Sequence, residues 1–323
     1  MARDRKGMGC LGKMLISLLV IVVVIVVAAV AILHLTPNHF KLGDLEIAGT
    51  SLNELGLGDA KFLDIIKSFM SLKKPDVGAI VTNPPGDEDK SSAANKVETG
   101  SSIPMDTDGS PDFSTIVTDP VVYDKEYLIT YSDKELAGLF GHIIDDAEDK
   151  ADTPEAIQFL ADLNATIASI TISDKQDDGS ASIRIVASVN ISHMREEIAG
   201  GLPDFLKNQI PETVYIAFYG KITANVVGDL VYTHVDALIN DKDDVMSKAI
   251  FKVVAGRAEI DESQDPKVAI GNKVGEGFEI LIGNLGKIGT AETDTDGVVE
   301  AGTKVLGKIG IQNGKISLIT MTE

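Results

Sequence analysis

The sequence predicts an α+β protein in which a long, curved antiparallel sheet wraps around one or two long helices. An N-terminal transmembrane helix and a disordered linker come before it. Three observations predict this. Residues 14–35, "MLISLLVIVVVIVVAAVAILHL", form an uncharged apolar run. Residues 82–120 are rich in Pro, Gly, Ser and Asp and show no apolar periodicity. From residue 121 to 323, apolar residues recur at helical spacing and then at every second position, over strands longer than the usual roughly five or six residues.

The first 13 residues read as a cytoplasmic leader. As a helix, the 22 residues of the apolar run reach about 33 Å, close to the roughly 30 Å hydrocarbon core of a bilayer. Ala29-Val30-Ala31 offers a small-x-small cleavage site, so a secretory signal is the competing reading. Ile32 and Leu33 carry the run past that site, and it outlasts the roughly 7–15 residues of a signal's apolar region. A retained signal-anchor is therefore favoured. Arg3, Arg5, Lys6 and Lys13 against Asp4 give the leader a net +3, which keeps the N-terminus cytoplasmic. The expected localisation is the plasma membrane, single-pass, with the C-terminal domain outside. The chain total of −20 then leaves −23 on the exported part, which argues against nucleic acid and against a polybasic grip on anionic lipid. The single cysteine, Cys10, falls on the cytoplasmic side, so the exported part has no disulfide and depends on its core.

Residues 36–81 read as a juxtamembrane region with one short amphipathic helix, "DAKFLDIIKSFMSLKK". Asp59 can cap it, Phe62, Ile65, Ile66 and Phe69 fall at helical spacing, and Pro75 stops it. Its apolar face suits either the outer leaflet or the distal domain. Docking on the domain is favoured because the polar face is not strongly basic. Residues 82–120 then read as a flexible linker with a root-mean-square span of roughly 35 Å.

The exported domain, residues 121–323, opens with a strand, "EYLITY", running into "SDKELAGLFGHIIDDA". Ser132 and Glu135 have the spacing of a capping box. Leu136, Leu139, Phe140, Ile143, Ile144 and Ala147 make one apolar helix face, and Thr153-Pro154 starts a second helix. "NATIASITIS" and "SASIRIVASVNIS" flank the turn "DKQDDG". "ETVYIAFYGKITANVV" alternates most clearly, with Val214, Ile216, Phe218 and Ile222 on one side, and turns at Gly228-Asp229 into "LVYTHVDALIN". Two helices follow, "DDVMSKAIFKVVAG" and "PKVAIGNKVGEGFEILIGNLGKIG". The glycines of the second, Gly271, Gly275, Gly277 and Gly283, either weaken it or allow close backbone packing. Asn313-Gly314 turns one closing strand into another.

Few motifs carry chemistry. "GTKVLGKI" spaces Gly302 and Gly307-Lys308 as a phosphate loop would, but Ile309 replaces the Ser or Thr that reaches magnesium. Glu292, Asp294, Asp296 and Gly297 fit positions of a calcium loop, yet Thr303 stands where a bidentate Glu belongs. They are a weak calcium candidate, and no metal is expected. The five histidines have no metal-ligand spacing, and no nucleophile elbow is present. No catalytic constellation emerges, so the chain reads as neither an enzyme nor the holder of a cofactor.

The order "YLITYSDKELAGLFGHIID", long strands, "LPDFLKNQIPETVYIAFYGKITANVVGDLVYTHVDALIND" and the terminal "IGIQNGKISLIT" resembles bacterial single-pass membrane proteins with an exported TULIP-like domain. The resemblance covers residues 121–323. It implies a curved sheet around a long helix, with an apolar groove for lipid. The expected function is thus a membrane-anchored exported protein binding a lipid or other apolar ligand at the cell envelope. Leu136, Phe140, Ile144, Phe218, Phe278 and Leu281 are the candidate groove lining, and they equally fit a plain packed core. The alternative is a ligand-free interaction or scaffold module for another envelope protein.

Overall fold

The computed structural model describes residues 25–44, 46–47, 50–54, 58–72, 75–101, 126–149, 153–195, 198, 208, 210–224, 229–257, 260, 263–286, 291–293, 299–301 and 304–322. Helix α1 is described over 25–33, near the end of the apolar run; residues 14–24 of the run and the leader lie outside the described residues. Among the described residues, no helix is long and apolar enough to cross a membrane. A 3-10 turn, Pro37–Phe40, and the hairpin β1 (Glu46–Ile47) to β2 (Thr50–Ser51) lead to α2 (Phe62–Leu72) and one-turn α3 (Val77–Ile80). Next come α4 (Asp87–Ser101), β3 (Glu126–Ser132), α5 (Asp133–Asp145) and α6 (Glu155–Asp162). The strands β4 (Ala165–Ile172), β5 (Ser180–Asn190), β6 (Thr213–Ala224) and β7 (Leu230–Ile239) follow in a meander. The chain closes with α7 (Val245–Arg257), α8 (Pro266–Gly286), β8 (Ala291–Thr293), β9 (Val299–Ala301), β10 (Lys304–Gln312) and β11 (Lys315–Thr322).

The fold is α+β and its sheets are antiparallel. The strands expected in one long sheet divide between two: β4-β5-β6-β7, and β10-β11-β3; β8 and β9 pair separately. Alternation works as expected on β6, where Val214, Ile216, Phe218 and Ile222 are buried toward the helices. The Asn313-Gly314 turn ties the two sheets together. Its Gly314 adopts φ +69, donates its N–H to the Ile172 carbonyl at the end of β4, and accepts from Asp133 N–H at the start of α5. The capping box forms: Ser132 Oγ accepts from Glu135 N–H at 3.2 Å, and Glu135 Oε2 accepts from Ser132 N–H at 2.8 Å. Two expected caps do not form. Asp59 instead accepts from Asn38 Nδ2, and the Thr153 hydroxyl donates to the Ala147 carbonyl, leaving Pro154 at the cap of α6.

The largest departure from expectation lies at residues 36–101. The juxtamembrane helix docks on the domain, with Ile65, Phe69 and Leu72 buried and the Leu72 carbonyl accepting from Asn240 Nδ2. Ile80 of α3 is buried on the outer face of the sheet, against Val186 and Ala217, with Tyr215 and Tyr219 beside it. Arg184 of β5 clasps this segment, donating to the Ile80 carbonyl at 2.6 Å and to the Tyr219 hydroxyl at 3.2 Å. The segment read as linker over 82–120 is a helix over 87–101, preceded by the described, non-helical residues 82–86; residues 102–120 lie outside the described residues. Among the α4 residues whose side chains are described, Ala93 is the one in the buried core, and polar groups of the helix also dock. Lys96 Nζ reaches Glu135 at 2.8 Å and the Thr130 carbonyl at 2.8 Å, and Ser92 Oγ donates to Glu135 Oε1 at 2.5 Å. Burial pushes the Glu135 carboxyl up, but the bonds from Lys96, Ser92 and Ser132 outweigh it and hold it below the ordinary carboxylate value. The folded domain therefore starts well before residue 121.

Candidate functional site

The six expected lining residues do come together, in the layer between α5, α8 and the four-stranded sheet. Leu136, Phe140, Phe278 and Leu281 are 0 % exposed and Ile144 and Phe218 are 2 % exposed. The rings of Phe140 and Phe278 pack tilted, with centroids 6.1 Å apart. These side chains fill the helix–sheet interface, and none opens on the surface.

The glycines of α8 resolve in favour of close packing. A Cβ on Gly275 would overlap the Tyr232 ring, which is also held from the β6 side by Gly220, and a Cβ on Gly271 would overlap the His234 ring. The helix thus lies directly on β7, and Glu279 of α8 accepts the Tyr232 N–H at 2.5 Å, covering part of that edge. The cost is a polar pair under the helix: among the described residues the Tyr232 hydroxyl and both ring nitrogens of His234 have no hydrogen-bond partner. Burial lowers the His234 pKa; Asp236 and Asp265 oppose this, and Lys267, bonded to Asp236 at 2.6 Å and to Asp243 at 3.3 Å, adds to it. A histidine whose folded pKa is depressed is neutral in the native state. Its contribution is complete above the ordinary value of 6.5 and is lost as pH falls below it, because the unfolded chain takes up the proton first. Urea midpoints are expected to fall between about pH 7 and pH 5, and the same series on His234→Leu is expected to be flatter over that window.

An open cleft of about 490 Å³ lies on the other side of α5. One wall is Pro84 and Pro85, fixed because Asn83 donates to Asp133 at 2.8 Å. The opposite wall is β4 at Ile167 and Ala168, where a bulge interrupts pairing with β5. Gly141 of α5 opens the floor, since a Cβ there would meet nothing within 4 Å. Lys90 and Asp145 supply charge around it, His142 adds a polar ring, and the Lys90 stem rests on Gly138. A trough with proline on one side, a bulged edge strand on the other and charge at the rim suits an extended peptide segment. Periodicity offers no route to this site, because the bulge and the proline wall meet only in three dimensions.

The calcium candidate has little structural context. Asp294 and Asp296 lie outside the described residues, and Glu292 is described only as a backbone position of β8, opposite Glu300. Among the described residues no group of three or more His, Cys, Asp or Glu could hold a metal ion. The glycine-rich stretch near Lys308 is β10, extended and paired with β11. No family model, curated protein or solved structure matches the chain.

Proposed function

We propose that this chain is a single-pass, membrane-anchored binding module held outside the cytoplasm, which engages an extended segment of an envelope protein in the cleft between α5, β4 and Pro84-Pro85. One observation carries the reading: the helix–sheet interface is filled while this cleft is open. A TULIP-like lipid carrier is the competing reading, supported by α8 lying along β7 with its apolar residues inward. It requires the Phe140–Phe278 contact to part around a ligand. The test places a photo-crosslinking residue at His142 in cells that make the full chain. A discrete protein adduct is expected, and Gly141→Trp, which fills the floor without a clash at Cβ, is expected to abolish it with the unfolding midpoint unchanged. An adduct that survives Gly141→Trp sinks the cleft reading. Lipid recovered at one equivalent from the gently purified protein would favour the carrier instead.

A further inference from the structure

We propose that the domain is seated directly on the bilayer by Phe40 and Leu42, which enter the boundary between headgroups and acyl chains. This rests on the anchor reading above and adds a second membrane contact to it. The apolar run emerges as α1 with Ile25, Val26, Val27, Val30 and Ile32 between 49 % and 61 % exposed, a helix surface left uncovered among the described residues. Right after it the chain is stapled to the domain: Phe62 N–H, at the start of α2, donates to the Leu35 carbonyl at 3.1 Å. The intervening loop is tightly bonded. Leu42 N–H donates to the Pro37 carbonyl, Asn38 N–H to the Gly58 carbonyl, and Asn53 N–H to the Gly43 carbonyl, all within 3.1 Å. Lys41 takes the left-handed conformation, φ 55, at the end of the 3-10 turn.

This scaffold holds two large apolar side chains outward. Phe40 is 43 % and Leu42 40 % exposed, although the Phe40 ring leans on Phe62 with centroids 5.7 Å apart. Scattered exposed apolar residues are ordinary, but a pair fixed within ten residues of an uncovered apolar helix continues that helix's surface. Phe and Leu on one side with lysine on the other is the composition of segments that lie in a bilayer interface, the apolar side chains in the boundary and the ammonium toward phosphate, as Phe40, Leu42 and Lys41 would. The partner is therefore a phospholipid surface. Because the exported part carries −23, the contact is apolar and not electrostatic, so neutral phosphatidylcholine suffices and added salt does not release it.

The chain has no tryptophan, so Phe40→Trp introduces its only indole. The full chain is reconstituted into phosphatidylcholine vesicles with or without brominated acyl chains. Emission from Phe40→Trp is expected to be blue-shifted and about twofold weaker with bromine, as an interfacial depth of roughly 5–10 Å requires. Leu42→Trp is expected to behave alike. Val231→Trp, exposed on β7 and not part of the Pro37–Gly43 loop, is expected to be unquenched. Vesicle-bound protein with both Phe40→Trp and Leu42→Trp unquenched overturns the seat and leaves the anchor standing. Protein stripped from vesicles by alkaline carbonate overturns the anchor and the seat with it.

Discussion

Gly275→Ala is expected to cost about 3 kcal/mol of folding stability, at the top of the usual range for overpacking. Ordinarily the substitution would help, since alanine in a helix is worth up to ~1 kcal/mol over glycine. Here the new methyl meets the Tyr232 ring, and Gly220 on β6 blocks the ring's retreat. Gly283 sits on the same helix with nothing within 4 Å of its would-be Cβ, and Gly283→Ala is expected to stabilise by about 0.5–1 kcal/mol. Urea denaturation of the two variants should move in opposite directions. Adding Tyr232→Ala to Gly275→Ala should recover part of the loss, because the two residues contend for one space. A Gly275→Ala protein as stable as the parent would mean that α8 does not lie on β7 as described.

Glu135→Ala is expected to be nearly as damaging, at about 3 kcal/mol, because it strands the Lys96 ammonium and removes one half of the capping box. The effect is local in a way that can be read. Lys96 also lies over the Tyr131 ring, 5.6 Å from its centroid, and that ring is wholly buried with its hydroxyl unpartnered among the described residues. Losing the carboxylate should free α4 first. Trypsin would then cut after Lys90 and Lys96 under conditions where the parent chain resists. Glu135→Gln, which keeps an acceptor for Ser92 and Ser132, should fall between the two. If cleavage at those lysines is equally fast in the parent chain, α4 is not docked and residues 82–101 behave as the linker that their composition suggests.

That contrast shows what the sequence makes legible. The capping box and apolar stripe of α5 are local, repeating within a dozen residues, and they appear as read. So does the alternation of β5 and β6, since a strand shows its two faces in its own spelling. Docking of α4 rests in part on contacts that no apolar periodicity announces. These are made by Ser92 and Lys96 reaching a carboxylate some forty positions away, and only the acidic first turn, Asp87, Glu88 and Asp89, hints at a helix start. The glycines of α8 raised the right question, but their answer, Tyr232, lies on another element. The division into two sheets was equally hidden, because a strand's alternation does not name its neighbour.

The pairing of β3 with β11 also governs when the fold can complete. Thr130 and Ser317 share a hydrogen bond across 187 positions, and the Asn313-Gly314 turn is what links that sheet to β4 and α5. During synthesis, β3 must wait with no strand partner on either edge until β11, more than 180 residues later, follows it. Such non-local closure makes for slow folding and prolonged exposure of a sticky strand. A ribosome that stalls between Ile239 and Lys315 would therefore release a chain with every meander strand made and its final sheet open, the species that quality control would have most reason to meet.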